Sequence, residues 1–229
     1  MRTPEARRAG QYWVERALAD GLVVAAVLAW WALPGRLPSF VLPDPWAVAK
    51  TTALLFVDPV FVVHTVTSTA RVVASVAIAM ALGFTLAVLA RYVPVTEAII
   101  NDRIQTFLNS FPSVGWAVLA VIWFDVSNFS VIFVQVAILV PFCLINLGEG
   151  LRQLDPETVE MARSFTRNPR RILVKIVMPM LLPYAVAALR IAYGIGWKIA
   201  LVSELFGADR GLGFLMVQGH IDRRDPKLR

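Results

Sequence analysis

The side chains that could carry chemistry are few and scattered. Two histidines, His64 and His220, lie far apart, and the single cysteine, Cys143, sits in an apolar run. No His/Cys spacing suits a metal, and a lone cysteine forms no internal disulfide. Nothing resembles a Ser/His/Asp or Cys/His set, so neither histidine reads as catalytic and an enzyme is not expected. No Gly is followed by Lys, which removes the phosphate-cradling G-x-x-x-x-G-K-[ST] loop. Two charges stand out instead. Lys198, next to Trp197, and Glu204 fall within one apolar stretch. A charge at the centre of a bilayer costs about 2.5–3.5 kcal/mol or more, so each needs a partner or water. They are spaced to face different sides of a helix, so they should not pair directly. Either could face a pathway, another helix or a neighbouring subunit. Arg71 and Arg190 fall near the ends of apolar runs, where snorkelling to headgroups is expected.

The elements that would hold these residues are apolar helices. The chain has 229 residues, of which 58% are hydrophobic and only 17% charged. Its mean hydropathy is +0.66. About 20 apolar residues cross the hydrocarbon core as a helix. Runs of that kind are expected near 17–34, 65–90, 104–124, 128–148 and 184–207. The class is therefore all-α and polytopic, with five expected transmembrane helices. Ala70/Ala74 and Ala77/Ala81 would allow close helix packing in the second. The net charge of +6 suits membrane loops better than nucleic acid, because Lys and Arg gather on the cytoplasmic side. The tail 1–16 and the segment after the fourth run are the basic ones, which puts both in the cytoplasm.

That segment, 155–183, is a charged island between apolar runs. Asp155 is a good N-cap and Pro156 suits the first helical position. Glu157 and Glu160 fall where carboxylates favour the helix dipole. Asn168-Pro169 repeats the start signal, and Pro179 and Pro183 are expected to break or kink the chain. Two short helices joined by a turn are the expectation.

Glu160-Met161-Ala162, Thr166 and Ile176-Val177-Met178-Pro179 resemble the EAA loop of bacterial ATP-binding cassette importer permeases: E-A-A, three residues, G, nine residues, I-x-L-P. Met161, Thr166 and Met178 depart from the pattern, while the spacing is intact. Other stretches are similar to the branch that imports nitrate, taurine and aliphatic sulfonates. These are LPDPWAV at 42–48, His64 with Arg71, the run from Phe111-Pro112 to Phe124 with Asp125 where Gly is usual, and Leu189-Arg190-Ile191 through Gly207.

The resemblance implies a permease domain over 17–215 whose loop 155–183 docks on a separate ATPase. Glu160 would face basic groups there, and Met161, Phe165, Ile172 and Ile176 would fill its groove. It also implies a second permease copy, an extracytoplasmic solute-binding protein, the bilayer of a bacterial inner membrane, and ATP bound only by the partner. Thr166 in place of Gly calls for another left-handed residue in the turn, and Asn168 is the candidate. Related permeases carry a sixth span after Gly211–Leu215, where this chain ends in a basic tail, 216–229. A non-transporting fragment is the alternative expectation. Asn109, Ser110, Gln135 and Asn146 are polar within or beside spans but spell no substrate.

Overall fold

The computed structural model describes residues 4–33 and 42–224, and among them no strand occurs. The Pro-rich connection at 34–41, Arg2 and the tail end 225–229 lie outside the described residues. The chain divides into two compact units, Met1–Val62 and Val63–Arg229.

The first unit holds α1 (Pro4–Ala32), α2 (Pro45–Leu55) and the first turn of α3 (Pro59–Tyr92). Asp44 caps α2, accepting from the Ala47 N–H at 3.3 Å, with Pro45 at the first helical position. The Trp30 indole N–H donates to the Pro43 carbonyl at 3.2 Å. The first expected span falls on α1, and its final position, 34, lies outside the described residues.

The second unit is a helix bundle. After α3 come α4 (Pro94–Ala98), a π-helical turn (Ile99–Ile104), α5 (Gln105–Ser110), α6 (Ser113–Phe124) and α7 (Asn128–Arg152). Then follow α8 (Pro156–Phe165), α9 (Pro169–Ile172), a second π-helical turn (Leu173–Val177), α10 (Met178–Gly207) and α11 (Leu212–Arg224). Three helices are long and apolar enough to cross a bilayer: Pro59–Tyr92, Asn128–Arg152 and Arg170–Gly207, with mean hydropathies of 2.5, 2.4 and 2.1. They contain the second, fourth and fifth expected runs. A fourth arises if Val95–Ser110 and Ser113–Phe124 count as one, but they meet at 88°. The bend sits at Phe111-Pro112, where Phe111 is extended (φ −90°, ψ 127°), as a residue before proline prefers.

α7 is the central helix. Val131, Leu139, Cys143, Leu147 and Leu151 are all buried along its length. α3 crosses it at Gly83, where a Cβ would meet the Cys143 Cβ at 2.6 Å. α10 presents a stripe of small residues to the core, Ala188, Ala192, Gly196 and Ala200. Small residues let helices approach where lipid offers no hydrophobic drive. On α3 the packed face is Ser75, Ala79, Gly83 and Ala87. This corrects the expected Ala70/Ala74 and Ala77/Ala81 pairs, of which Ala70, Ala77 and Ala81 are exposed.

The prolines after the loop do not break the chain. Arg170–Gly207 is one long helix. A proline lacks the N–H of the ordinary ladder. The preceding turn is already widened, with the Met178 N–H bonded to the Leu173 carbonyl five residues back. Pro183 then sits inside α10.

Candidate functional site

Each end of this bundle carries a cluster of polar side chains. At the end where α10 stops, Glu204 is 0% exposed and Arg71 only 4%. The Arg71 Nη1 donates to Glu204 Oε1 at 2.9 Å and to the Arg210 carbonyl at 2.6 Å. Its Nε and Nη2 donate to the Asn128 Oδ1 at 2.8 and 2.5 Å. The Ser68 hydroxyl donates to the Glu204 carboxylate at 2.8 Å, and the Gly213 N–H reaches Oε2 at 3.0 Å. The Leu212 N–H donates to Ser68 Oγ at 2.9 Å and the Gly211 N–H to His64 Nδ1 at 2.8 Å. His64, Ser68 and Arg71 follow the spacing of one helix face, so α3 grips the start of α11 with a single side.

Gly211 makes this approach possible. Its φ is +126°, and a Cβ there would sit 2.4 Å from the Glu204 carboxylate. A Cβ on Gly213 would meet the Leu201 carbonyl oxygen at 2.4 Å. Arg71 is thus a buried ion-pair partner joining α3, α7 and α10. That corrects the expected snorkelling, because every opposite charge and acceptor it needs lies inside the bundle.

Lys198 has a different setting. It is exposed, on another side of α10 from Glu204, and makes no ion pair among the described residues. Trp197 is half-buried against the core, with Tyr193 edge-on at 6.4 Å.

At the opposite end, Asp155 caps α8. It accepts the Thr158 hydroxyl at 2.6 Å and the Glu157 N–H at 3.0 Å. The Thr158 hydroxyl first, and the Glu157 N–H second, hold its carboxyl below the ordinary value of 3.8. Ala162 is 7% exposed and Ile172 8%, and both join the core with Ile176 packed alongside. Met161 and Phe165, one turn apart, are 55% and 84% exposed. The expected four-residue apolar face is therefore split. Ile172 and Ile176 anchor the segment to its own bundle, while Met161 and Phe165 project. Glu160 is exposed and lines a hollow of about 290 Å³ together with Arg91 and Arg163.

The turn at Thr166 needs no left-handed residue. Thr166 is extended (φ −152°, ψ 134°), and its hydroxyl accepts the Asn168 N–H at 3.3 Å. Asn168 in turn accepts the Arg170 N–H at 3.0 Å and starts α9. The expected left-handed Asn168 is corrected: Asp125 is the single non-glycine residue with positive φ among those described. Ile176 lies in the π turn, Met178 opens α10 half-exposed, and Pro179 follows.

Residues 79–226 match the family described as the binding-protein-dependent transport system inner membrane component. The chain belongs to this family. It is similar to the taurine transport system permease protein of Escherichia coli, 24% identical over 207 residues, or 87% of this chain and 74% of that one. It is 29% identical to the bicarbonate transport system permease protein of Synechococcus elongatus over 154 residues, 67% of this chain and 55% of that one. The nitrate import permease protein of the same organism is 28% identical over 115 residues, 50% of this chain and 41% of that one. This chain spans only about half the length of the last two.

The family is one of transport permeases, and with its apolar helices the chain is a multi-pass membrane protein. The geometry accounts for Met161, one of its departures from the loop pattern. Ala162 is the small residue that burial demands, whereas Met161 is exposed and tolerates a larger side chain. The Arg71–Glu204 network joins two helices, so the pattern of neither helix alone reveals it. The available signal was an arginine in one apolar run and a carboxylate in another.

Proposed function

We propose that the chain is the membrane-spanning subunit of an ATP-binding cassette importer for a small oxyanion-bearing solute. The observation that carries this is the exposed Met161–Phe165 face. The helix that bears it is anchored to the bundle by Ala162 and Ile172. A projecting apolar pair on an anchored helix can fill a groove in a partner and transmit its movement. The partner is a separate ATPase, and Glu160 meets basic groups on it. ATP is bound there and not in this chain.

Lys198 supports a second copy around a shared path. A lysine mid-way along a span cannot face lipid cheaply, so its exposed side faces water or a neighbouring subunit. It also suits the solutes named for the relatives, since taurine, nitrate and bicarbonate each carry a negatively charged oxygen group. A solute-binding protein delivers the solute from the far side. ATP-driven closure of the ATPase pair then moves the 155–183 helices and switches the path between its two openings. In this reading the N-terminus and the 155–183 segment are cytoplasmic.

The test is co-purification in detergent with the ATPase encoded nearest this gene. Wild type should retain it, and Glu160→Arg and Phe165→Ala should lose it with unchanged thermal midpoints. No retention by wild type, or full retention by both variants, would sink the proposal.

A further inference from the structure

A second polar feature at the 155–183 end is not used by docking. Where the C-terminal turns of α3 and α7 meet the first π-helical turn lies a cavity of about 110 Å³. Arg91 comes from α3, Arg152 from α7, Asn101 from the π turn, Gln105 from the start of α5 and Glu97 from α4. Asn101 and Gln105 are one turn apart, so they share a face, and both are half-buried.

These groups do not satisfy one another. Arg91, Glu97, Asn101 and Gln105 make no side-chain hydrogen bond or ion pair among the described residues. Arg152 has one loose contact, Nε to Glu149 at 3.8 Å, which leaves its Nη groups unused. The guanidinium lies over Gly148, whose missing Cβ would sit 3.9 Å from Nη2.

We propose that this cavity binds a small oxyanion of single negative charge, of the sulfonate, nitrate or bicarbonate kind. The lining itself carries two guanidiniums and one carboxylate, a net positive charge that Glu149, loosely paired with Arg152 from outside the lining, offsets only in part. Planar guanidiniums match the paired oxygens of such ions, and the two amides add neutral donors. The volume suits an ion of that size and not a lipid chain or a nucleotide. Arg91 also lines the hollow that holds Glu160, so the anion site and the docking helix share a side chain. The choice of ions rests on the permease function proposed for the chain. The site itself is a property of this chain alone.

Isothermal titration of the full-length chain in detergent tests it, using sodium methanesulfonate, nitrate and bicarbonate at constant ionic strength. At least one should bind saturably to wild type. Arg91→Gln and Arg152→Gln should each weaken binding about tenfold or more, the scale of a charge-assisted hydrogen bond, and the double variant should abolish it. Arg190→Gln, exposed elsewhere on α10, should bind as wild type does. All these positions are exposed, and circular dichroism checks that the variants remain folded. A lipid headgroup offers the same chemistry, so the titration is repeated in phosphatidylcholine nanodiscs with and without phosphatidylglycerol. Binding that persists in phosphatidylcholine alone supports the proposal. Phosphatidylglycerol retained through the same two arginines, with no binding of the three ions, would overturn it in favour of a headgroup site. No binding by wild type, or equal binding by the double variant, would also overturn it. No ATPase is present, so a failed co-purification and a failed titration are separate results.

Discussion

Two arginines on α3 lead opposite lives. Arg71 is buried and gives its N–H groups to Glu204, Asn128 and the Arg210 carbonyl. Arg91, at the other end of the same helix, is exposed and has no hydrogen-bond or ion-pair partner among the described residues. Around Arg71 the backbone itself is shaped to serve a carboxylate, through Gly211 and Gly213. Around Arg91 lie an unpaired carboxylate and two unpaired amides, and at the same end of the bundle α8 projects Met161 and Phe165. One end is completed within a single chain, and its polar groups hold the fold. The other keeps its polar and apolar groups available, as a surface that meets partners must.

The largest expected effect comes from breaking the completed end. Arg71→Ala or Glu204→Ala leaves one charge buried without its partner, a loss of about 3–5 kcal/mol. Each variant should lose most of its folded yield in detergent. The double replacement Arg71→Met with Glu204→Leu should recover much of the loss, since an apolar pair can replace a buried ion pair. Single variants that melt at the wild-type midpoint would show that the network is dispensable, and the contrast with Arg91 would collapse.

A smaller effect separates two adjacent residues within the proposed docking segment. Ala162→Leu forces extra volume into a packed site and should cost about 1–3 kcal/mol. Met161→Ala removes exposed surface and should stay within about 0.5 kcal/mol. The thermal midpoint should therefore fall only for Ala162→Leu, while Met161→Ala weakens ATPase retention at normal stability. Equal midpoints would mean that the helix is not anchored as described.

Asp125 tests whether the completed end is also free of strain. It links α6 to α7 at φ 59° and ψ −176°, a region almost confined to glycine. Its Oδ1 accepts the Val126 N–H at 2.7 Å, which offsets part of the cost. Asp125→Gly should stabilise the protein by about 1 kcal/mol, read as a raised thermal midpoint. A lowered midpoint would show that the side-chain bond outweighs the backbone strain.

Local signals were legible in the sequence, and long-range ones were not. Asp155-Pro156 and Asn168-Pro169 announce helix starts because capping chemistry lies within a few residues of the cap. Both caps form. The long apolar runs on α3, α7 and α10 are equally local. The Arg71–Glu204 pair joins residues 133 apart, so no single helix's periodicity reveals it. Small residues occur all round α3, so its packed face is not legible from the sequence, and Gly83 against Cys143 identifies the crossing. The continuity through Pro179 depends on a widened turn that proline rules do not foresee. Thr166 fits for a similar reason, since the turn needs extended backbone and not a left-handed residue.

The smallest effect is confined to the available end and to acid. Asp155 caps α8, the helix proposed to dock, and its carboxyl titrates below the ordinary 3.8 because the Thr158 hydroxyl and then the Glu157 N–H favour the charged form. A carboxyl lowered on folding stabilises the folded state above its unfolded value, and this contribution disappears as pH falls through the folded value. The cap is therefore insensitive to pH near neutrality and weakens only below about pH 4. Amide exchange at Glu157 and Thr158, corrected for the intrinsic pH dependence, should accelerate in that window in wild type. In Asp155→Asn, which caps without titrating, it should not. Acceleration of equal size in both proteins would mean that acid acts elsewhere. Acceleration beginning near neutrality would mean that another group sets the cap. If the wild-type helix alone loosens below pH 4, α8 can be released from its cap by one proton without disturbing the helices that hold it.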